Sequence, residues 1–204
     1  MIDCLQGRIF NLRGGKAQRR VTHTVSRCPK ELRAFLSIAG DRLASVDIKS
    51  SQPVLLLSLY DDSSCEEAER FKEVLRSGIY GALSSADKET VKEQFGVFIS
   101  PKYRRKNEFG ENFGKRFPIL TDRIRSFPAS LAAHLQDLEA ECVIYGLIPK
   151  LRERGIPFIS IHDGGLCRPG DAETVAALLR VEVAARVGFE PVVTVQRPCS
   201  VPTV

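Results

Sequence analysis

Apolar and polar positions alternate along the chain in two rhythms, one of strands and one of helices. Residues 43–48, LASVDI, read as a short buried strand, after which Ser51 and Pro53 are placed to cap and open a short helix through VLLLSLY. Helical spacing then dominates. Ser64 and Glu67 spell a capping box ahead of AERFKEVLR, Gly78 stands where a helix end takes a left-handed residue, and a second helix is expected over roughly residues 86–99. FGKRFPILTDRIRSF reads as a shorter amphipathic helix with Pro118 in or near its first turn. Pro128 opens a long pattern with Leu131, Leu135, Leu138, Cys142 and Val143 on one side, interrupted at Pro149 and ended by Gly155.

The rhythm changes again at IPFISI, where β-branched and aromatic residues lead into HDGG, a tight-turn sequence, and then LCR. Residues 156–168 therefore read as a β-hairpin with His162 and Asp163 at its tip. A helix from an Asp171 N-cap to Gly188 and a last strand, PVVTVQ, complete the order. No internal repeat or low-complexity linker interrupts it, so residues 1–204 are expected to form a single domain of α+β class, an antiparallel sheet backed by long helices.

Composition fits that expectation. With 204 residues and 43% hydrophobic positions the chain can bury a core without disulfide or metal staples, which excludes a disordered or coiled-coil protein. The six cysteines contain no CxxC pair and only three histidines accompany them, so neither a zinc knuckle nor a disulfide framework is spelled out, and a reduced setting is the default. MIDCLQGRIFNLRGGK lacks the apolar stretch of a signal peptide, and no run approaches the roughly 18 apolar residues of a membrane span. A soluble, cytoplasmic protein is expected.

Charge adds a location. Residues 1–33 hold eight Lys/Arg against two acids, residues 102–125 hold eight against three, and the stretch between holds seven against eleven. RGGKAQRR, with Arg19 and Arg20, and KYRRK, with Arg104 and Arg105, have the density by which Lys and Arg displace counterions from a phosphate backbone. A solvated basic surface is the competing interpretation.

Two acids stand out against that background. Asp47 ends the first strand and Asp163 lies at the hairpin tip, so a sheet pairing these elements brings both carboxylates to one edge. Hard divalent cations take carboxylate oxygens, and two Mg²⁺ ions about 3.5–4 Å apart stabilise the attacking and leaving oxygens of phosphoryl transfer. Each residue alone has a plainer explanation, since Asp-Gly favours hairpin turns and an Asp at a strand end commonly caps the next helix.

Taken in order, these segments resemble the palm of family A DNA polymerases and single-subunit phage-type RNA polymerases over roughly residues 7–190. GR at residues 7–8 lies upstream, and CPKELRAFL resembles the R-x-x-F segment before the first metal motif. LASVDIKSSQP is similar to motif A, which makes Asp47 a metal ligand and puts Gln52 near the incoming sugar. DKETVKEQFGVFI resembles motif B, giving triphosphate contacts to Lys92 and, in the arginine position, Lys88. FGKRFPILTDRI is similar to the F-x-x-x-[YF]-P helix pair, and the long helix then leads to motif C, whose HD is His162 and Asp163.

The resemblance implies a polymerase-palm-like α+β domain with a fingers-like helical segment over about 79–127, reduced fingers and no full thumb. It implies template-dependent nucleotidyl transfer with two Mg²⁺ on Asp47 and Asp163, and a primer-template and nucleoside triphosphates as partners. Arg19, Arg20, Arg104, Arg105 and His162 would contact nucleic acid, and a partner subunit or further domain would supply the clamp. Gln52 stands where the DNA enzymes have a sugar-selecting Glu, Gly164 follows the HD where they carry a third acid, and Ile99 and Ser100 stand where a tyrosine is expected. A non-catalytic nucleic-acid-binding module with this fold and a two-metal nuclease are the alternatives.

Overall fold

The computed structural model describes residues 23–62, 65–100, 108–128 and 130–198. The chain begins with α1 (Thr24–Arg27), α2 (Lys30–Arg33), β1 (Ser37–Ile38), β2 (Asp41–Arg42) and β3 (Ala44–Ile48). Helices follow: α3 (Ser51–Leu55) with a 3-10 turn over Leu56–Leu59, α4 (Glu66–Ser77), α5 (Ile79–Leu83), α6 (Lys88–Phe98), α7 (Glu108–Arg116), α8 (Pro118–Ser126) and α9 (Leu131–Ala140). A π-helical stretch, Glu141–Leu147, passes into α10 (Ile148–Glu153). Then come β4 (Phe158–Ile161), β5 (Gly164–Cys167), α11 (Ala172–Val187) and β6 (Val193–Gln196). The fold is mixed α+β, with an antiparallel four-stranded sheet in the order β4-β5-β3-β6. Two compact units are present, a sheet unit from residues 23–49, 139–183 and 192–198, and a helical unit from residues 50–138 and 184–191.

In the sheet unit, burial alternates along β3. Ala44, Val46 and Ile48 are buried, and Ser45 and Asp47 are half-buried, as a period of two requires. Register pairs Ala44 with Cys167 and Val46 with both Gly165 and Val195 on the buried face. The opposite face is divided. Towards β4 and β5 it is apolar, with Ile161 and Leu166 packed with Leu43 and partly covered by Val25, Leu36, Ile38 and Ile159. Along β3 and β6 it is polar, carrying Ser45, Asp47, Thr194 and Gln196. His23 ties α1 to the sheet: its Nδ1 accepts from the Ser26 N–H at 3.3 Å, which leaves Nε2–H to donate to the Ser160 carbonyl at 2.7 Å.

The expected interruption at Pro149 does not occur, and the helix runs through it. Proline removes a donor, and its ring presses on the carbonyl four residues back. The π-helical stretch ahead of it widens the turn, with the Ile148 N–H bonded to the Val143 carbonyl five residues back. Within that stretch, Gly146 faces Glu182, so close that an added Cβ would overlap the Glu182 carboxylate, which is ion-paired with Lys150.

The helical unit is organised around aromatic rings. Phe109, Phe113 and Phe117 are fully buried, Phe71 packs edge-on against Phe113 and Phe117 at 5.8 and 5.0 Å between centroids, and Phe95 meets Phe109 at 5.8 Å. Such edge-to-face pairs contribute about 0.5–1.5 kcal/mol each beyond area burial. Gly78 ends α4 with φ 107°, and Asp87 caps α6 through the N–H groups of Glu89 and Thr90.

Three local expectations are corrected in this unit. The segment around Pro118 forms two helices, because Pro118 opens α8 after a break at Phe117. The N-cap of α3 is Ser50, in a left-handed conformation at φ 56° without a side-chain capping bond, and Ser51 is buried in the first turn. Cys65 is the N-cap of α4, and Ser64 lies outside the described residues. Glu67 cannot serve a capping box there. It is 3% exposed, and its carboxylate accepts the N–H groups of Ile119 and Leu120 at 3.0 and 2.8 Å and the Tyr60 hydroxyl at 2.9 Å. It therefore caps α8, 52 residues away in sequence.

Candidate two-carboxylate site

Asp47 is positioned by its place on the central strand. It pairs with Gly164 of β5 on one side and with Thr194 of β6 on the other. Ser45, two residues earlier on the same face, donates its hydroxyl to Asp47 Oδ2. The Thr194 hydroxyl instead donates to the Asp47 backbone carbonyl at 3.2 Å. Gly164 has no side chain to put between them: an added Cβ would overlap the Val46 carbonyl and lie 2.8 Å from Asp47 Cα and 3.0 Å from Oδ1. Thus β5 packs closely on β3 at Gly164, beside one oxygen of Asp47, and a hydroxyl holds the other.

Asp163 immediately precedes the residue that pairs with Asp47. The hairpin expected over residues 156–168 forms, with Ile161 paired to Gly164 and His162 and Asp163 as its two-residue turn. His162 has φ 54°, a left-handed conformation that is uncommon outside glycine and relatively tolerated by His. It is exposed and Asp163 is half-buried. The structure thus brings Asp47, Asp163 and His162 to one end of the sheet, around the β4–β5 turn.

The remaining candidates lie elsewhere in the chain. Gln52, half-buried, is in α3, and Lys88 is the first residue of α6 and exposed. Lys92, on the same helix, is ion-paired with Glu89 at 2.8 Å on an exposed face. Arg19, Arg20, Arg104 and Arg105 lie outside the described residues.

Among the described residues no group of three or more His, Cys, Asp or Glu side chains is placed to hold a metal ion. The two-acid arrangement nevertheless suits Mg²⁺, which retains several waters and takes one or two carboxylates together with substrate phosphates. Asp47 and Asp163, both half-buried at one end of the sheet, offer oxygen donors of the kind such an ion takes, so the donors present fit it. Ser45 and Thr194 are not among the residues that the sequence singles out. The i, i+2 spacing of Ser45 and Asp47 places them on one strand face and was visible in the sequence, whereas the partnership with Thr194 depends on the β3–β6 register.

No helix among the described residues is long and apolar enough to cross a membrane. No protein-family model matches the chain, and no curated protein matches it. Among solved structures it is similar to the POL domain of Pol1 from M. smegmatis, determined in complex with DNA primer-template and dNTP, with a TM-score of 0.57 and 16% identity. That similarity covers 95% of this chain and 48% of the other, so the chain spans about half the length of its structural neighbour. At this identity the likeness is one of fold, and the fold is polymerase-like.

Proposed function

We propose that the chain carries out template-dependent nucleotidyl transfer, adding nucleotides from nucleoside triphosphates to a primer. The observation that carries this reading is the pairing of Asp47 with Gly164, which sets two acids 116 positions apart in sequence beside one turn of the sheet. The polymerase-like fold supports it, as does the primer-template and dNTP content of the neighbour.

Asp47 and Asp163 provide hard oxygen ligands for two Mg²⁺. When bound, such ions lower the pKa of a primer hydroxyl and neutralise charge on the phosphates of the nucleotide. Lys92 and Lys88 bind the β- and γ-phosphates, Gln52 approaches the sugar, and His162 meets the primer strand. Arg19, Arg20, Arg104 and Arg105 bind the nucleic-acid backbone, and a partner subunit or further domain provides the clamp. The exposed Lys92–Glu89 pair is no obstacle, because exposed ion pairs contribute only about 0–1 kcal/mol and exchange readily for a phosphate.

Incubation with a primed template, Mg²⁺ and either dNTPs or NTPs tests the chemistry and the sugar choice together. Extension by the parent and none by Asp163→Asn is the expected result. Binding of primer-template without extension under any condition would leave the non-catalytic module, and Mg²⁺-dependent degradation of the primer would make the protein a nuclease.

A further inference from the structure

We infer that Ser45 is a positioning residue for Asp47, holding one oxygen of its carboxylate so that the side chain is already ordered when a divalent cation binds. This inference rests on the two-carboxylate reading above and adds a residue to it. Asp47 has two cross-strand neighbours, and neither holds its carboxylate. Gly164 has no side chain, and the Thr194 hydroxyl is turned to the Asp47 backbone carbonyl. The Ser45 hydroxyl donates to Oδ2, and Oδ1 lies 3.0 Å from the point where a Gly164 Cβ would stand.

A carboxylate on a half-exposed strand face otherwise samples several rotamers. A hydroxyl bonded to one oxygen is charge-assisted and so among the stronger hydrogen bonds. It selects one rotamer and leaves the second oxygen, Oδ1, with its acceptor capacity. Gly164 makes the complementary contribution, since any side chain there would overlap the Val46 carbonyl and displace β3 at Asp47. Ser45 therefore touches neither nucleotide nor metal and acts through Asp47. Partners of metal ligands characteristically contribute about 10–100-fold to metal affinity.

The test reads Mn²⁺ binding to the full chain by loss of the free-ion electron paramagnetic resonance signal, in the absence of nucleotide and nucleic acid. Parent, Asp47→Asn, Ser45→Ala and Ser45→Thr are compared, with thermal melts confirming that each is folded. The expected order is a roughly tenfold loss for Ser45→Ala, a larger loss for Asp47→Asn, and affinity within about twofold of the parent for Ser45→Thr, which keeps the hydroxyl. If Asp47→Asn loses Mn²⁺ while Ser45→Ala equals the parent, the positioning role is wrong and the metal site stands. Equal losses in Ser45→Thr and Ser45→Ala also overturn it, because the hydroxyl is then not the cause. If Asp47→Asn binds as the parent does, the metal reading fails and this inference with it.

Discussion

In the helical unit Glu67 is buried and its two oxygens take three hydrogen bonds, from the Tyr60 hydroxyl and the Ile119 and Leu120 N–H groups. In the sheet unit Asp47 is half-buried, with one oxygen on the Ser45 hydroxyl and the other beside the glycine at 164. Both are carboxylates in ordered surroundings, and their sequence contexts look equally plain. What separates them is where the donors come from. A buried carboxylate surrounded by fixed donors of its own chain is a structural part, and its charge is compensated by a helix N-terminus. A half-exposed carboxylate with a single hydroxyl donor on one oxygen keeps acceptor capacity for a cation from solution.

Substitution of each acid by its amide should therefore give opposite results. Asp47→Asn is expected to lower Mg²⁺-dependent primer extension by about a thousandfold or more, about 4 kcal/mol of barrier, while its melting temperature stays within a few degrees of the parent. Extension kinetics and a thermal melt on the same preparation check both halves. Unchanged extension would place Asp47 with Glu67 as a structural acid.

Glu67→Gln is the reverse experiment. The amide nitrogen cannot accept, so at least one of the Tyr60, Ile119 and Leu120 donors loses its partner in a buried place. A loss of about 2–3 kcal/mol of stability is expected, which for a chain of this size lowers the melting temperature by roughly 4–12 °C. Chemical denaturation measures it. A change below about 0.5 kcal/mol would show that water replaces the carboxylate at the start of α8.

Tyr60 sharpens the same region by pH. Burial in the first place, then its hydrogen bond to Glu67, pushes its pKa above the usual value near 10. A group whose folded pKa is raised contributes stability that is present in full below its unfolded pKa and lost as pH rises through the folded value. The parent should thus become less stable above about pH 10, and Tyr60→Phe should show less of that alkaline fall while losing about 1 kcal/mol at neutral pH. Parallel denaturation curves at pH 7 and about pH 11 decide it: equal alkaline losses in both proteins would mean that Tyr60 is not the titrating group.

Much of this architecture was legible because short-range rules set it. The LASVDI strand, the HDGG hairpin and the closing PVVTVQ strand lie where period and turn chemistry put them, and their pairing juxtaposes Asp47 and Asp163. What escaped was long-range. Glu67 has the spacing of a capping residue, yet α8 arrives with two unpaired N–H groups and takes its carboxylate, a competition no local window contains. Pro149 reads as a break because its five-residue-back bypass, Ile148 N–H to Val143, is not written in propensities. The Phe109, Phe113, Phe117 stripe had the four-residue spacing of a helix face and could have been read from the sequence.

Asp87 is a third carboxylate and the least consequential, fully exposed at the start of α6. Its Oδ1 accepts from the Glu89 and Thr90 N–H groups, each at 3.1 Å, and its Oδ2 from the Thr90 hydroxyl at 2.6 Å. The Thr90 hydroxyl first, then the Thr90 N–H, holds its pKa below the usual carboxylate value. A lowered pKa contributes stability that is present above the unfolded value, about 4, and disappears as pH falls through the folded one. Acidification should accordingly loosen the first turn of α6 in the parent. Asp87→Asn keeps a side-chain oxygen at the N-cap and removes the titration, so its first turn should not respond. Cα chemical shifts of Thr90 and Val91 between about pH 5 and pH 2 read the difference, and identical profiles in the two proteins would show that the charge at position 87 takes no part in holding the helix start.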